Sequence, residues 1–247
     1  VSQQRQREYL VFDLETVLDP ELPPPPPREP DKKDGLPAPI HWRIVAFGAA
    51  MLQPVEGGGF DVRIGHMGEK FETWTERGAI AAFIETLTRR NPVVSGWNSR
   101  SFDMPIVHAR AFRYGLPFPH LFRSGLRRRY DGHHIDVMDE MSEHGATRPA
   151  RAGETAKAMG LPGKLDVDGS SVEALYQAGE IERIIAYCLQ DVAQETAILL
   201  RHLLVRGTLD LAAYRASIGA WTLAIEGCSR TAAILPRCDM ARLRAED

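Results

Sequence analysis

Hydrophobic positions in the first third of the chain fall in short continuous blocks rather than helical stripes. Residues 9–15, Tyr-Leu-Val-Phe-Asp-Leu-Glu, are apolar on both faces, which predicts a buried strand. Residues 43–51 and 60–67 predict two further strands, with Gly57, Gly58 and Gly59 as the turn between them. The period then changes. Residues 76–89 repeat at helical spacing, 92–96 form a short strand, and 102–114 are helical until Gly115 and its neighbouring prolines break the pattern. Ile135 and its neighbours predict a fifth strand. Most of the rest predicts helix: Ser170 with Glu173 forms a capping box, and residues 181–205 carry a long amphipathic pattern ended by Gly207. Strands early and helices late, with a helix between strands, predict an α/β fold. Its mixed β-sheet is flanked by helices, with additional helices in residues 207–247.

Nine of the seventeen prolines lie between Pro20 and Pro39, around the run Pro23 to Pro27. Such a stretch reads as a solvated polyproline-II loop inserted after the first strand.

Composition narrows the class. The 247 residues carry 44% hydrophobic and 26% charged side chains, enough for a closed core. A formal charge of −3 excludes a strongly basic coat that holds nucleic acid by charge alone. Cys188, Cys228 and Cys238 have neither CxxC nor Cys/His spacing, so no disulfide scaffold or zinc module is expected. No apolar run approaches a membrane span, and no secretory signal is read at the start. A cytoplasmic protein without membrane partners is the expectation.

Three groups of acids change the picture. Asp13 and Glu15 are two apart on a predicted strand and so share a face, where two carboxylates resist burial unless something positive lies between them. Asp103 opens a helix directly after a short strand, a position where an acid is favoured whatever its task. In the long helix, apolar positions 181, 184, 185, 188, 189, 192, 199 and 203 form one stripe. Tyr187 and Asp191, four apart, stack along its edge.

Phe12-Asp13-Leu14-Glu15 resembles the first motif of the DEDD exonuclease superfamily. Asn98 with Phe102-Asp103 resembles the second, in the form used by proofreading domains of B-family DNA polymerases. Tyr187-x-x-x-Asp191, reading YCLQD, resembles the third, in its tyrosine (DEDDy) version. The resemblance spans about residues 9–205. It implies a stand-alone 3′–5′ exonuclease with a ribonuclease H-like fold, an exonuclease domain over residues 1–206 and a helical extension over 207–247. The proline-rich insertion departs from the family pattern, and no polymerase motif is visible.

Phosphodiester hydrolysis needs an activated water and stabilised charge on the phosphoryl and leaving oxygens, which two divalent ions supply together. Hard Mg²⁺ or Mn²⁺ suits an all-carboxylate donor set better than one of His or Cys. The resemblance implies that Asp13 bridges two ions, Glu15 and Asp191 complete one site, and Asp103 holds the other, directly or through water. Tyr187 would orient or help deprotonate the attacking water.

Substrate contacts are expected from Thr16, Asn98, Trp97, Phe102 and Lys164, although Trp97 and Phe102 equally suit the core. Seven arginines (100, 110, 113, 123, 127, 128 and 129) make a local basic region with Asp103 as its only acid, suited either to phosphate or to a solvated loop. Asp136 and Asp139, near His133 and His134, read as helix caps and surface groups, with Asp136 also placed to support the metal site. The expected partner is nucleic acid, single-stranded DNA 3′ ends above all. The alternatives are an exoribonuclease with the same site and a binding module that has lost catalysis.

Overall fold

The computed structural model describes residues 7–26, 36–69, 73–165 and 171–246. The centre of the proline-rich segment and the Ser170 cap lie outside these residues. Five strands are seen among them: β1 (Tyr9–Leu18), β2 (Trp42–Pro54), β3 (Phe60–His66), β4 (Val93–Gly96) and β5 (His134–Asp136). Helix α1 (Glu76–Arg90) precedes β4, and α2 (Asp103–Arg113) and α3 (Pro119–Arg123) precede β5. Then come α4 (Val137–Met141), α5 (Ala152–Ala158), α6 (Val172–Gln177), α7 (Ile181–Val205), α8 (Leu211–Glu226) and α9 (Met240–Leu243).

The sheet order is β3-β2-β1-β4-β5. β1 and β3 run antiparallel to β2, whereas β1, β4 and β5 are mutually parallel. This is the mixed, helix-flanked sheet of the expected ribonuclease H-like fold. The three glycines at 57–59 all take left-handed φ values, which lets the β2–β3 connection turn tightly.

Side-chain alternation along β1 sorts the two faces. Leu10, Phe12 and Leu14 pack with Phe47, Phe83 and Val107 under α1 and α2. Val11 and Val17 lie on the other face, against α7, so Asp13 and Glu15 between them face α7 as well. α7 is buried almost all round from Val192 to Leu200, as a helix between a sheet and a further helical layer must be. That layer comes from the C-terminal residues. Tyr214, Ile218, Trp221, Ile225, Ile234 and Leu243 share one core with Val11, Leu52 and Leu200, and the Trp221 indole donates to the Ala193 carbonyl at 2.7 Å. No helix among the described residues is long and apolar enough to cross a membrane.

Candidate active site

β4 pairs with β1 only at residues 9–11, so the edge of β1 beyond Val11 is free of β4 just where the acids begin. On its other edge, Asp13 faces Gly48 of β2, and the register slips by one residue between Glu15 and Thr16. Such a bulge re-aims the strand beside the acids. α7 crosses the sheet at Gly48. A Cβ there would stand 2.8 Å from Val192 Cγ2 and 3.0 Å from Cys188 Sγ, so the missing side chain permits the approach. Gly48 N–H donates to Cys188 Sγ at 3.1 Å, and that thiol reaches the Asp13 carbonyl at 3.4 Å.

Cys188 lies between Tyr187 and Asp191, so this contact delivers both to the acids of β1. One carboxylate oxygen from each of Asp13, Glu15 and Asp191 lies within 4.8 Å of the other two. Asp103 stands outside that tight group, although its charge acts on both Asp13 and Glu15. It is 3% exposed, and its Oδ1 is enclosed without a hydrogen-bond partner.

The electrostatics are those of an acid cluster short of positive charge. Burial pushes Asp13 and Glu15 well above the usual carboxylate range, and the neighbouring acids push further. Burial also raises Asp103 to about 7, against the pull of the Asp103 and Leu14 N–H groups. Asp191 rises to about 6 through burial, opposed by a hydrogen bond from Tyr187 and by Lys164. The Tyr187 hydroxyl is itself pushed far up, by burial first and then by Asp191 and Glu15. Three converging carboxylates, with a further buried acid acting on them whose Oδ1 is unpartnered, fit hard divalent cations.

The second motif is anchored by Asp136, for which the sequence left both a helix-cap, surface reading and a supporting place at the site open. Gly96 packs so tightly on the Phe12 carbonyl that a Cβ would come within 2.8 Å of it. Asn98 takes a left-handed φ of 58°. Its N–H and that of Arg100 donate to the two oxygens of Asp136, each at 3.0 Å. Asp136 does cap α4, as expected, but it is buried rather than a surface group, because its carboxylate is the anchor for this loop. Asp139 instead pairs with Arg129 and with His144. Ser99 bonds His134 at 2.8 Å, and burial lowers that histidine to about 3, which leaves it neutral.

The expected substrate contacts separate into groups. Asn98 and Phe102 line a cavity of about 350 Å³ with Leu36, Pro39 and Trp42, so the end of the proline-rich segment borders the second motif. Lys164 lies beside the acids, its Nζ 6.0 Å from the Tyr187 ring centre. Its loop is fixed to α7 by Gln194, which bonds Gly163 N–H at 2.8 Å and Gly163 C=O at 3.0 Å. Trp97 is half-buried against the core under α7, and Thr16 is half-buried just past the bulge.

The arginine cluster is largely committed to the fold, which corrects its reading as one basic region. Arg110 is 1% exposed and forms 2.6 Å ion pairs with Asp19 and Glu76. Arg113 pairs with Glu21, Arg128 with Asp131 and Arg129 with Asp139, while Arg100 donates to the carbonyls of Leu126, Arg128 and His134. Arg123 and Arg127 remain exposed, Arg127 over the Phe122 ring. The cluster is acid-poor only along the sequence; the fold brings its counter-ions from elsewhere.

The family described as "predicted 3′–5′ exonuclease related to the exonuclease domain of PolB" matches residues 33–233. The chain belongs to this family. That description places the chain among the 3′–5′ exonucleases. The match takes in the second and third motifs but begins after β1, so the placement of Asp13 and Glu15 in the site rests on their geometry beside Asp191. Among solved structures, the family B DNA polymerase of the archaeon Pyrobaculum calidifontis is similar with a TM-score of 0.52 and 18% identity, over 90% of this chain and 29% of the polymerase. An exonuclease I structure is similar with a TM-score of 0.38 and 16% identity, over 87% of this chain and 46% of that one. The chain thus spans less than half the length of either. No curated protein sequence matches it.

One acid of the site went unread in the sequence. Glu195, one turn beyond Asp191, is buried, and its Oε2 accepts the Trp97 N–H at 3.2 Å. Its signal was present: positions 188, 192, 195 and 199 continue the apolar stripe, and a glutamate in such a stripe marks a buried charge.

Proposed function

We propose that this exonuclease removes nucleoside 5′-monophosphates from the 3′ end of single-stranded DNA, with two divalent cations, Mg²⁺ or Mn²⁺, at the acid cluster. The observation that carries this reading is the convergence of Asp13, Glu15 and Asp191 within 4.8 Å, beside the enclosed and unpartnered Asp103 Oδ1. When bound, such cations supply charge stabilisation for the phosphoryl oxygens and an acidified water.

The residues divide the remaining work. Asp13 would serve both cations, Glu15 and Asp191 would complete one site with it, and Asp103 would hold the other. Tyr187 orients the attacking water from its hydrogen bond with Asp191, and its raised hydroxyl is suited to donating a hydrogen bond rather than acting as a base. Lys164, on a loop clamped by Gln194, neutralises phosphate beside the acids. The cavity at Asn98 and Phe102 takes the terminal nucleotide, where an aromatic ring stacks on any base. Kinship with the PolB exonuclease domain supports DNA over RNA.

The test offers 5′-labelled single-stranded DNA, duplex DNA and RNA of one sequence with Mg²⁺ or Mn²⁺. Faster shortening of single-stranded DNA is expected; preferential shortening of RNA would move the substrate assignment to the exoribonuclease alternative.

A further inference from the structure

Glu195 has no place in the four-carboxylate scheme, yet the fold buries it at the same site. It is 7% exposed and accepts the Trp97 N–H, and no cation pairs with it among the described residues. With Asp191 and Lys164 it lines a cavity of about 50 Å³. Its carboxyl is pushed well up by burial first, then by Asp103 and Asp191. In turn its charge is the strongest of the neighbouring acids acting on Asp13. The charges that act on its carboxyl are those of Asp103, Asp191 and Asp136, with Lys164 unpaired to it across the cavity, and a buried acid held among acids is costly to keep. Accepting one backbone N–H does not explain the charge, since a glutamine would do so without repulsion. The enclosed Asp103 Oδ1, without a partner, independently marks this side of the cluster as short of a cation.

We infer that Glu195 is a fifth anionic residue of the metal centre, whose charge tightens binding of the cation that Asp13 and Asp103 would hold. The inference rests on the two-cation reading above. It makes Glu195 a positioning residue for the metal rather than a group that touches substrate, and it predicts that both cations bind before nucleic acid arrives.

The experiment titrates the protein with Mn²⁺ in the absence of nucleic acid and follows free Mn²⁺ by electron paramagnetic resonance. Wild type, Glu195→Gln, Glu195→Asp and Asp13→Asn are compared, with thermal melts of each as a check on folding. Glutamine keeps an oxygen for the Trp97 N–H and removes only the charge. Wild type is expected to bind two Mn²⁺, and Glu195→Gln to weaken one of them by about 10–100-fold, the usual effect of removing a supporting group around a metal. Glu195→Asp, which keeps the charge, should bind more tightly than Glu195→Gln, and Asp13→Asn should weaken both sites. Two wild-type-like sites in Glu195→Gln, or equal affinities in Gln and Asp variants, would overturn the role of Glu195 alone. A wild type that binds no Mn²⁺ would overturn this inference and the two-cation reading together.

Discussion

Gly48 and Asp13 lie directly opposite one another in the β1–β2 ladder, and the bare Cα of Gly48 is where α7 comes to rest. The distance between the third motif and the first is therefore set by a residue that belongs to neither. Gly48→Ala forces a methyl into Val192 and Cys188. Overpacking of this kind costs about 1–3 kcal/mol, and displacement of Asp191 by about 1 Å is expected to lower turnover about 10²-fold. Gly65→Ala on β3, where a Cβ meets nothing within 4 Å, is the control and should leave both unchanged. Urea unfolding and single-turnover rates of the two variants check this; equal rates would remove Gly48 from the account.

Arg110 offers a prediction about stability rather than rate. It holds Asp19 and Glu76 in the interior, and Glu76 also accepts from Ile44 N–H and the Tyr114 hydroxyl. Removing one partner of a buried ion network strands the others, at about 3–5 kcal/mol. Arg110→Leu should lose stability of that order in urea unfolding. A stable variant with weakened DNA binding would return Arg110 to a phosphate-contact role.

Tyr187→Phe removes one oxygen and leaves the ring beneath Lys164. Melting temperature and Mn²⁺ binding should be retained while the rate falls about 10²-fold, at the low end for groups that orient or transfer protons. The pH–rate profiles of wild type and variant should run parallel. Loss of an ionisation in the variant would make Tyr187 a base instead.

Stability without metal carries a pH signature. Asp191 and Asp103 titrate near 6 and 7 in the folded protein, against about 3.9 when unfolded. Between about pH 4 and 7 the folded state retains protons that the unfolded chain has released, so the contribution of these acids falls as pH rises. His66 and His134, lowered to about 4 and about 3 by burial, act in the opposite sense below about pH 6.5. The increment caused by metal therefore isolates the acids. Cations bind the ionised carboxylates, so Mn²⁺ should raise the melting temperature more at pH 8 than at pH 5.5. Melts in EDTA and in Mn²⁺ at both pH values check this; an increment larger at pH 5.5 would contradict it.

Much of this architecture was legible in the sequence. The bounds of α7 follow from its apolar stripe and Gly207, and the acids of β1 share a face because alternate strand positions do. What escaped was set by packing between distant segments. Arg110 sits on the buried face of α2, with Asp103, Ile106 and Ala111, and its partners lie 91 and 34 residues away. Asp136 ends a three-residue strand, too short to show any period. Glu195 occupies a stripe position between Val192 and Leu199, where an interrupted apolar face was itself the sign of a buried charge.

The most direct test of the central claim follows 5′-labelled single-stranded DNA in Mg²⁺, in Mn²⁺ and in EDTA, with wild type and Asp13→Asn side by side. The account predicts a ladder that shortens from the 3′ end only with wild type and only with metal, because Asp13 would serve both proposed cations and its loss would remove several kcal/mol of transition-state stabilisation. Internal cuts, degradation in EDTA, or an Asp13→Asn variant that keeps more than about a tenth of the wild-type rate would contradict it.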